Sequence, residues 1–478
     1  MNYRMITYIL GWILLFESAF LLVPTLTALA YTEPEALHFL LTIGICLVAS
    51  ALLIAAKPKN KDLRSRDGFV IVSLSWIVLS LFGAIPFMLT GVTTSFVDAL
   101  FETVSGFTTT GASIFASVED LPRSILMWRS FTHWVGGMGV LVFVMAFLPL
   151  SGGRNMHIMK AESPGPSVSK LVPRVRTTAL LLYSIYFALT LLQFILLLCG
   201  GMSVFDALNT AFATAGTGGF GIKNDSIGGY SPYLQVVITV FMLLFSLNFN
   251  SYFLLLKGKL KDAFNTEIRT FLLLVAAAIV AIVWNVRHLF GTLAEAIRHA
   301  AFSVASIIST TGFATVDFDL WPQFSHIILV LLMFIGACAG STGGGIKLSR
   351  VIIFVKAVGR EISTSLHPKQ TKKVSIDGKP IESDVVRSTV NYLACFVLVF
   401  TASWLLISLD NYDFTTSFTA IAATMGNIGP GFSAVGPTCN YAFFSPFSKL
   451  VLCFDMLAGR LELFPMLLLF TPATWKKN

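Results

Sequence analysis

Thr108-Thr109-Thr110-Gly111-Ala112 is a short polar run in a chain that is otherwise oily. The same construction returns at Gly216-Thr217-Gly218-Gly219-Phe220, Ser309-Thr310-Thr311-Gly312-Phe313 and Ala423-Thr424-Met425-Gly426-Asn427. Each run ends a short amphipathic stretch and carries glycine and small side chains. Non-helical backbone is tolerated inside a membrane only where it is buried in protein or lines a water-filled path, because lipid cannot satisfy its N–H and C=O groups. Four such loops in one chain predict one four-sided pore.

Around each loop lie two apolar segments long enough to cross a bilayer: 69–90 and 128–149, 177–199 and 234–256, 268–290 and 324–357, 388–409 and 446–474. Two more, 6–30 and 37–56, come first and belong to no repeat. The reading is an all-α integral membrane protein with two N-terminal transmembrane helices and four pseudo-symmetric span, pore-helix, loop, span repeats around one central pore. Residues 1–68 hold the extra helices and a basic loop; the repeats occupy 69–160, 161–262, 263–365 (with a broken second span) and 366–478.

Composition agrees. The 478 residues are 55% hydrophobic and 12% charged, with a mean hydropathy of +0.78, against roughly 25% charged in soluble domains. The net charge of +8 is not a nucleic-acid signature, because its distribution alternates. Lys57, Lys59, Lys61, Arg64 and Arg66, then Arg154, Lys160, Lys170, Arg174 and Arg176, then Lys257, Lys259, Lys261 and Arg269, then Lys356, Arg360, Lys369, Lys372, Lys373, Lys379 and Arg387 follow every second span. The intervening loops carry Glu33, Glu35, Glu119, Asp120, Asp225, Asp317 and Asp319. By the positive-inside rule this is a multi-pass protein with both termini cytosolic. The run from Ile6 to Ala30 is too long for a signal-peptide core and contains Glu17, so it is expected to stay as a span. The 6 cysteines show no metal-type spacing and read as small core residues.

Aligned on Gly111, Gly219, Gly312 and Gly426, the repeats have Asp98, Asp206, His299 and Asp413 thirteen residues upstream. Asp98, Asp206 and Asp413 are read as pore-helix caps, where a carboxylate satisfies free N–H groups and faces the positive dipole end. A helix from there to the loop reaches only about halfway across a 30 Å core and must turn back. Its negative end then faces the membrane centre and favours a cation. Carbonyls gathered at four glycine tips can replace the hydration shell of an alkali ion. No loop core offers Asp, Glu, His or Cys, which a divalent or transition metal would want, so the ion is monovalent.

The span 324–357 is too long for one crossing, and its middle holds Gly340, Ser341, Thr342, Gly343, Gly344 and Gly345, too many glycines for a helix. Broken backbone there is expected to line the cavity under the filter. It is not a phosphate loop, since Gly345 is followed by Ile346 before Lys347. Arg460 lies ten residues into the last span, where a charge needs a partner; the freed carbonyls of the glycine segment are the candidates, and Glu462 is badly placed within the helix. Lys347 has two readings, facing the path or snorkelling to the cytosolic surface. Arg129 and His133 are expected at the outer interface, and the glycines from Gly136 to Gly139 in helix packing.

Ser-Gly-Phe-Thr-Thr-Thr-Gly-Ala-Ser (105–113), Ser-Arg-Asp-Gly-Phe (65–69), Gly-Gly-Met-Gly (136–139), Cys-Ala-Gly-Ser-Thr-Gly-Gly-Gly-Ile-Lys (338–347), Gly-Asn-Ile-Gly-Pro-Gly (426–431) and Gly-Arg-Leu-Glu (459–462) together resemble the TrkH/TrkG/KtrB superfamily of potassium transporters. The two unrepeated N-terminal helices resemble its TrkH branch. The resemblance covers essentially the whole chain. It implies potassium as the transported ion, a homodimer, a cytosolic TrkA-like nucleotide-binding regulatory subunit with no nucleotide on this chain, and the cytoplasmic (inner) membrane. It further implies potassium-binding backbone oxygens at Thr109, Thr110 and Gly111; Thr217, Gly218 and Gly219; Thr310, Thr311 and Gly312; and Thr424, Met425 and Gly426. Met425 departs from the small or polar pattern, and the third loop lacks a residue common in close relatives, which leaves its register open by one. In the family the arginine matching Arg460 contacts the glycine loop, which gates the path. Related sodium carriers have Ser for the first-loop glycine; Gly111 is kept here.

The expected function is therefore potassium uptake through a gated, channel-like pore. A sodium- or proton-coupled symporter of the same fold is the alternative. A membrane enzyme would need a convergent catalytic set at depth, and the chain offers none.

Overall fold

The computed structural model describes residues 1–55, 58, 63–139, 175–368 and 373–476. The repeat boundary expected at 160/161 lies outside the described residues, as do Lys57, Lys59, Lys61, Arg154, Lys160, Lys170, Arg174, Lys369, Lys372 and Lys477. Among the described residues the fold is all-α apart from a ribbon of two short strands, Ser375–Ile376 paired antiparallel with Lys379–Pro380.

Each repeat consists of an outer helix, a pore helix, a loop and an inner helix. In chain order the outer helices are Ser65–Gly83, Val175–Cys199, Thr266–Val286 and Ser383–Ile407. The pore helices are Phe96–Phe107, Val204–Gly216, Leu293–Ile308 and Phe414–Met425, and the inner helices are Arg123–Gly137, Pro232–Phe245, Gln323–Ile335 and Pro446–Arg460. The first outer helix begins before the expected 69, because the Asp67 carboxylate accepts from the Arg64 amide (3.0 Å) and satisfies a free N–H at that end. Outer helices turn apolar side chains to lipid: Leu273 and Val280 share one exposed face, as do Leu398 and Leu405. The pore helices are the inverse, with their last turns buried in protein.

Six helices among the described residues are long and apolar enough to cross a membrane, or seven with the bent pair Pro232–Phe245 and Phe249–Leu256. The inner helices have only 13 to 15 residues, roughly 20 Å at 1.5 Å each. A break is expected only in the third; the second and fourth inner helices also end early. After Phe245 the chain bends by 91°, after Ile335 it enters the glycine loop, and after Arg460 it passes through Glu462 at φ 64°.

The extra N-terminal helices, Tyr3–Phe20 with Leu22–Ala30 and Ala36–Ala55, brace the first repeat. On one face Glu33 accepts from the amides of Arg123 (2.7 Å) and Ser124 (3.0 Å), satisfying the start of the first inner helix. On the opposite face the Tyr3 hydroxyl donates to the Trp475 carbonyl (2.8 Å) and Arg66 to the Ala473 carbonyl (3.4 Å). Both chain ends thus meet the start of the first outer helix.

Candidate functional site

All four pore helices stop in the same way. Thr109, Thr217, Thr310 and Asn427 take left-handed backbone, with φ of 56°, 55°, 60° and 53°. The next residue's amide turns back onto its helix: Thr110 to Ser105 O (2.9 Å), Gly218 to Ala213 O (2.9 Å), Thr311 to Ser306 O (2.9 Å) and Ile428 to Ala423 O (2.8 Å). This is the Schellman arrangement of a helix C-terminus, one left-handed residue and a bond spanning five residues. A positive-φ glycine follows each, at Gly111, Gly219, Gly312 and Gly429.

The loops close into a ring. A methyl group on Gly111 would overlap the Gly218 carbonyl, one on Gly219 the Thr311 carbonyl, one on Gly312 the Ile428 carbonyl, and one on Gly429 the Thr110 carbonyl. Loop one therefore abuts loop two, two abuts three, three abuts four and four returns to one. Only glycine permits both the backbone angle and the approach. The same four glycines line a single outer cavity of about 120 Å³.

Two expectations need correction. In the fourth loop the residue matching Gly111 is Gly429, not Gly426. Thr424 and Met425 are the last residues of the pore helix and Gly426 is its C-cap with ordinary right-handed φ of −79°; the side chain of Met425 is buried in the apolar core. Asn427, Ile428 and Gly429 take the places of Thr109, Thr110 and Gly111. The second correction concerns Asp98 and Asp206, which are not caps. Ser95 and Ser203 are, accepting from the amides of Asp98 (3.3 Å) and Asp206 (3.1 Å), while Asp413 caps its own helix through the Thr416 amide (3.0 Å). With Gly429 in register, Ser95, Ser203 and Asp413 all stand sixteen residues before their glycines. Asp98 instead pairs with Lys449 (2.6 Å), and Asp206 accepts from the Tyr230 hydroxyl (3.0 Å). The third pore helix starts a turn earlier at its cap Thr292, and His299 bonds the Thr315 hydroxyl (2.9 Å).

Hydrogen bonds from the Thr416 side chain and amide hold the Asp413 carboxyl below the usual carboxylate range. Asp413→Ala is expected to destabilise the fold by about 1 kcal/mol, and Asp413→Ser to recover most of it. The check is apparent melting in detergent; equal melting of the Ala variant and the parent would contradict the cap.

Beneath the ring, residues 336–347 separate Gln323–Ile335 from the helix Leu348–Leu366. Gly336, Gly340, Gly345 and Lys347 all have positive φ. The segment touches loops three and four directly: the Gly344 amide donates to the Thr310 hydroxyl (2.6 Å), and a methyl on Gly344 would meet the Gly426 carbonyl and the Asn427 side chain. The Thr342 amide and hydroxyl donate to Phe245 O (3.3 and 3.1 Å), the Gly340 carbonyl accepts from the Phe249 amide (3.0 Å), and Glu267 accepts from the Ala339 amide (2.7 Å). Lys347 does not snorkel to the surface: it is buried and donates to Gly343 O within its own loop.

Arg460 donates to Thr342 O (2.7 Å) and to the carbonyls of Gly136 (2.6 Å) and Gly137 (2.7 Å). The last two lie at the C-terminus of the first inner helix, where a cation is favoured. One guanidinium thus joins the glycine loop to repeats one and four. Glu462 pairs with Arg350, which lies over the Tyr392 ring at 3.9 Å.

Arg129 and His133, expected at the outer interface, are buried against the backbone that leaves the second loop. Their signal was available: a charge and an imidazole inside an apolar helix need polar partners, and loop backbone supplies them. Lys449 carries no signal in the sequence because it sits near a helix end, where lysine ordinarily snorkels.

The family model described as TrkH, cation transport protein, matches residues 36–477. The Trk system potassium uptake protein TrkH of Escherichia coli K12 is 35% identical over 485 residues, covering 100% of both chains. The Trk system potassium uptake protein TrkG of the same strain is 34% identical over 99% of each. The crystal structure of the potassium transporter TrkH from Vibrio parahaemolyticus superposes with a TM-score of 0.90 at 32% identity, covering 100% of both chains.

Proposed function

The chain belongs to the TrkH family of cation transport proteins, and from that premise we propose that it carries potassium into the cell through the four-loop ring, with residues 336–347 as the gate. The family is one of transporters rather than enzymes. The observation that carries the reading is the closed ring of glycines and neighbouring carbonyls in all four repeats. Backbone oxygens at Thr109, Thr110 and Gly111, Thr217, Gly218 and Gly219, Thr310, Thr311 and Gly312, and Asn427, Ile428 and Gly429 stand in for water around the ion. They are uncharged, so they suit a monovalent cation. The potassium named by the relatives at 34–35% identity supports the choice of ion.

Uptake needs no second ion on this reading. A potential of 100 mV, inside negative, is worth about 2.3 kcal/mol per charge, or roughly fiftyfold accumulation. The bonds of Arg460 to Thr342 O and of Lys347 to Gly343 O support a closed gate: both cations sit at the broken segment under the filter, where they repel an incoming cation. The inner membrane, cytosolic termini, homodimer and TrkA-like subunit implied by the family belong to the same proposal. A cytosolic subunit would act on the gate through Leu348–Leu366, which leads directly out of it.

Purified protein in vesicles is expected to pass potassium well ahead of sodium. The reversal potential should follow the potassium gradient alone; a shift with the proton or sodium gradient would favour the coupled symporter instead.

A further inference from the structure

The ring is pseudo-fourfold, but its bracing is not. At the junction of loops one and two the first inner helix sends two side chains into the backbone around the filter. His133 Nδ1 lies 2.7 Å from the Gly106 carbonyl, in the last turn of the first pore helix, and Nε2 lies 3.2 Å from the amide of Phe220, the residue after Gly219. A carbonyl only accepts and an amide only donates. The imidazole is therefore neutral, with its proton on Nδ1, and uses both nitrogens at once.

Packing locks the ring in that pose. Its face lies 4.2 Å from the Phe220 ring centroid, and any side chain at Gly218 would overlap it. One turn earlier Arg129 donates to the Gly221 carbonyl (3.2 Å) and lies over the Phe220 ring at 4.1 Å. Arg129 also pairs with Glu102 (2.7 Å), whose carboxylate accepts from the Ile114 amide (2.9 Å) and the Ser113 hydroxyl (3.1 Å). The segments leaving loop one and loop two are thus tied to one helix. The fourth repeat is tied differently: Gly136 and Gly459 pack alike on the carbonyls of Phe107 and Met425, the positions matching His133 and Arg129 are Met456 and Leu452, and it is the loop's own Asn427 that donates to the Met456 carbonyl (2.8 Å).

We propose that His133 and Arg129 are positioning residues for ion selection, holding filter loop two against pore helix one so that the carbonyls of Gly218 and Gly219 keep the spacing a potassium ion requires. This rests on the reading of the four loops as the filter. Selection between ions that differ only in radius depends on how firmly carbonyls hold their distances, and a two-ended neutral imidazole is a rigid spacer.

The test compares potassium and sodium flux for the full-length protein in vesicles, with monodispersity in detergent as the folding measure. His133→Leu keeps bulk and loses both bonds; it is expected to lower the potassium-to-sodium ratio by about tenfold while flux persists. His133→Gln, which can donate and accept, is expected to stay within about threefold of the parent. Tyr186→Phe loses a buried bond to the Trp134 carbonyl (2.9 Å) that reaches no loop; it should leave the ratio unchanged. A folded His133→Leu with the parent's ratio overturns the inference. Should that variant not be recovered folded, His133→Asn, too short to reach both partners, is judged by the same criterion. Gly111→Ser separates the two readings, since an altered ratio there with none in the His133 variants leaves the filter standing and removes only the brace.

Discussion

Gly111→Ser is expected to cut potassium flux on the order of a hundredfold and to erode preference over sodium. Two costs combine. At φ of 81° any side chain is strained, and its β-carbon would overlap the Gly218 carbonyl. Backbone strain of about 1–3 kcal/mol, with each 1.4 kcal/mol worth tenfold, sets the scale. Relief requires the Gly218 carbonyl to move, which opens the ring at one joint. Gly429→Ser should behave alike, because its β-carbon would meet the Thr110 carbonyl on the other side of loop one. The measurement is flux from vesicles containing monodisperse protein; parental flux and selectivity in both variants would remove these loops from the ion path.

Arg460→Gln is expected to raise resting potassium flux about tenfold or more. The guanidinium is the only side chain bonded to Thr342 O among the described residues. Hydrogen bonds to a charged group are worth about 1.5–3 kcal/mol, enough to shift a closed-to-open equilibrium by that factor or beyond. The bonds to Gly136 and Gly137 complicate the outcome, since their loss loosens the first inner helix. Arg460→Lys keeps the charge but not the fork, and should fall between. Flux from vesicles without any partner protein decides it: unchanged or lower flux in folded Arg460→Gln would make this arginine an anchor rather than a latch.

Much of this architecture is legible in the sequence because membranes restrict the choices. Apolar lengths, alternating basic loops and the glycine tips all follow from what lipid cannot solvate. Loops one to three keep the register read from Gly111, Gly219 and Gly312. The fourth misleads for a physical reason. The N-cap and the third helical residue both lie at the positive end of the dipole, so an acid suits either. Asp98 and Asp206 occupy the third position and Asp413 the cap; matching acid to acid shifts the loop by three. Serine, which caps well and is otherwise neutral, carried the true register at Ser95 and Ser203.

The breaks in the inner helices divide in the same way. Gly340 to Gly345 announces the third, whereas Ser246-Leu247-Asn248 and Leu461-Glu462 carry no comparable breaker. There the helix ends because tertiary partners take its backbone: the Ser246 carbonyl accepts from Cys338 N (3.1 Å) and Phe245 O from Thr342 N (3.3 Å). Position along the helix does not reveal the depth of His133, because its seat against Gly106 and Phe220 depends on how two repeats pack.

Because one chain supplies all four quadrants of the ring, each quadrant can drift on its own. In a homotetrameric channel a substitution costing about 0.5 kcal/mol is repeated fourfold, roughly 2 kcal/mol and near thirtyfold in an equilibrium if the effects add. Here the equivalent positions are Thr110, Gly218, Thr311 and Ile428, three residue types among four quadrants, and a change at one enters once. On the reading of the ring as a filter, its ion preference can thus be retuned in small increments, a single coding position at a time.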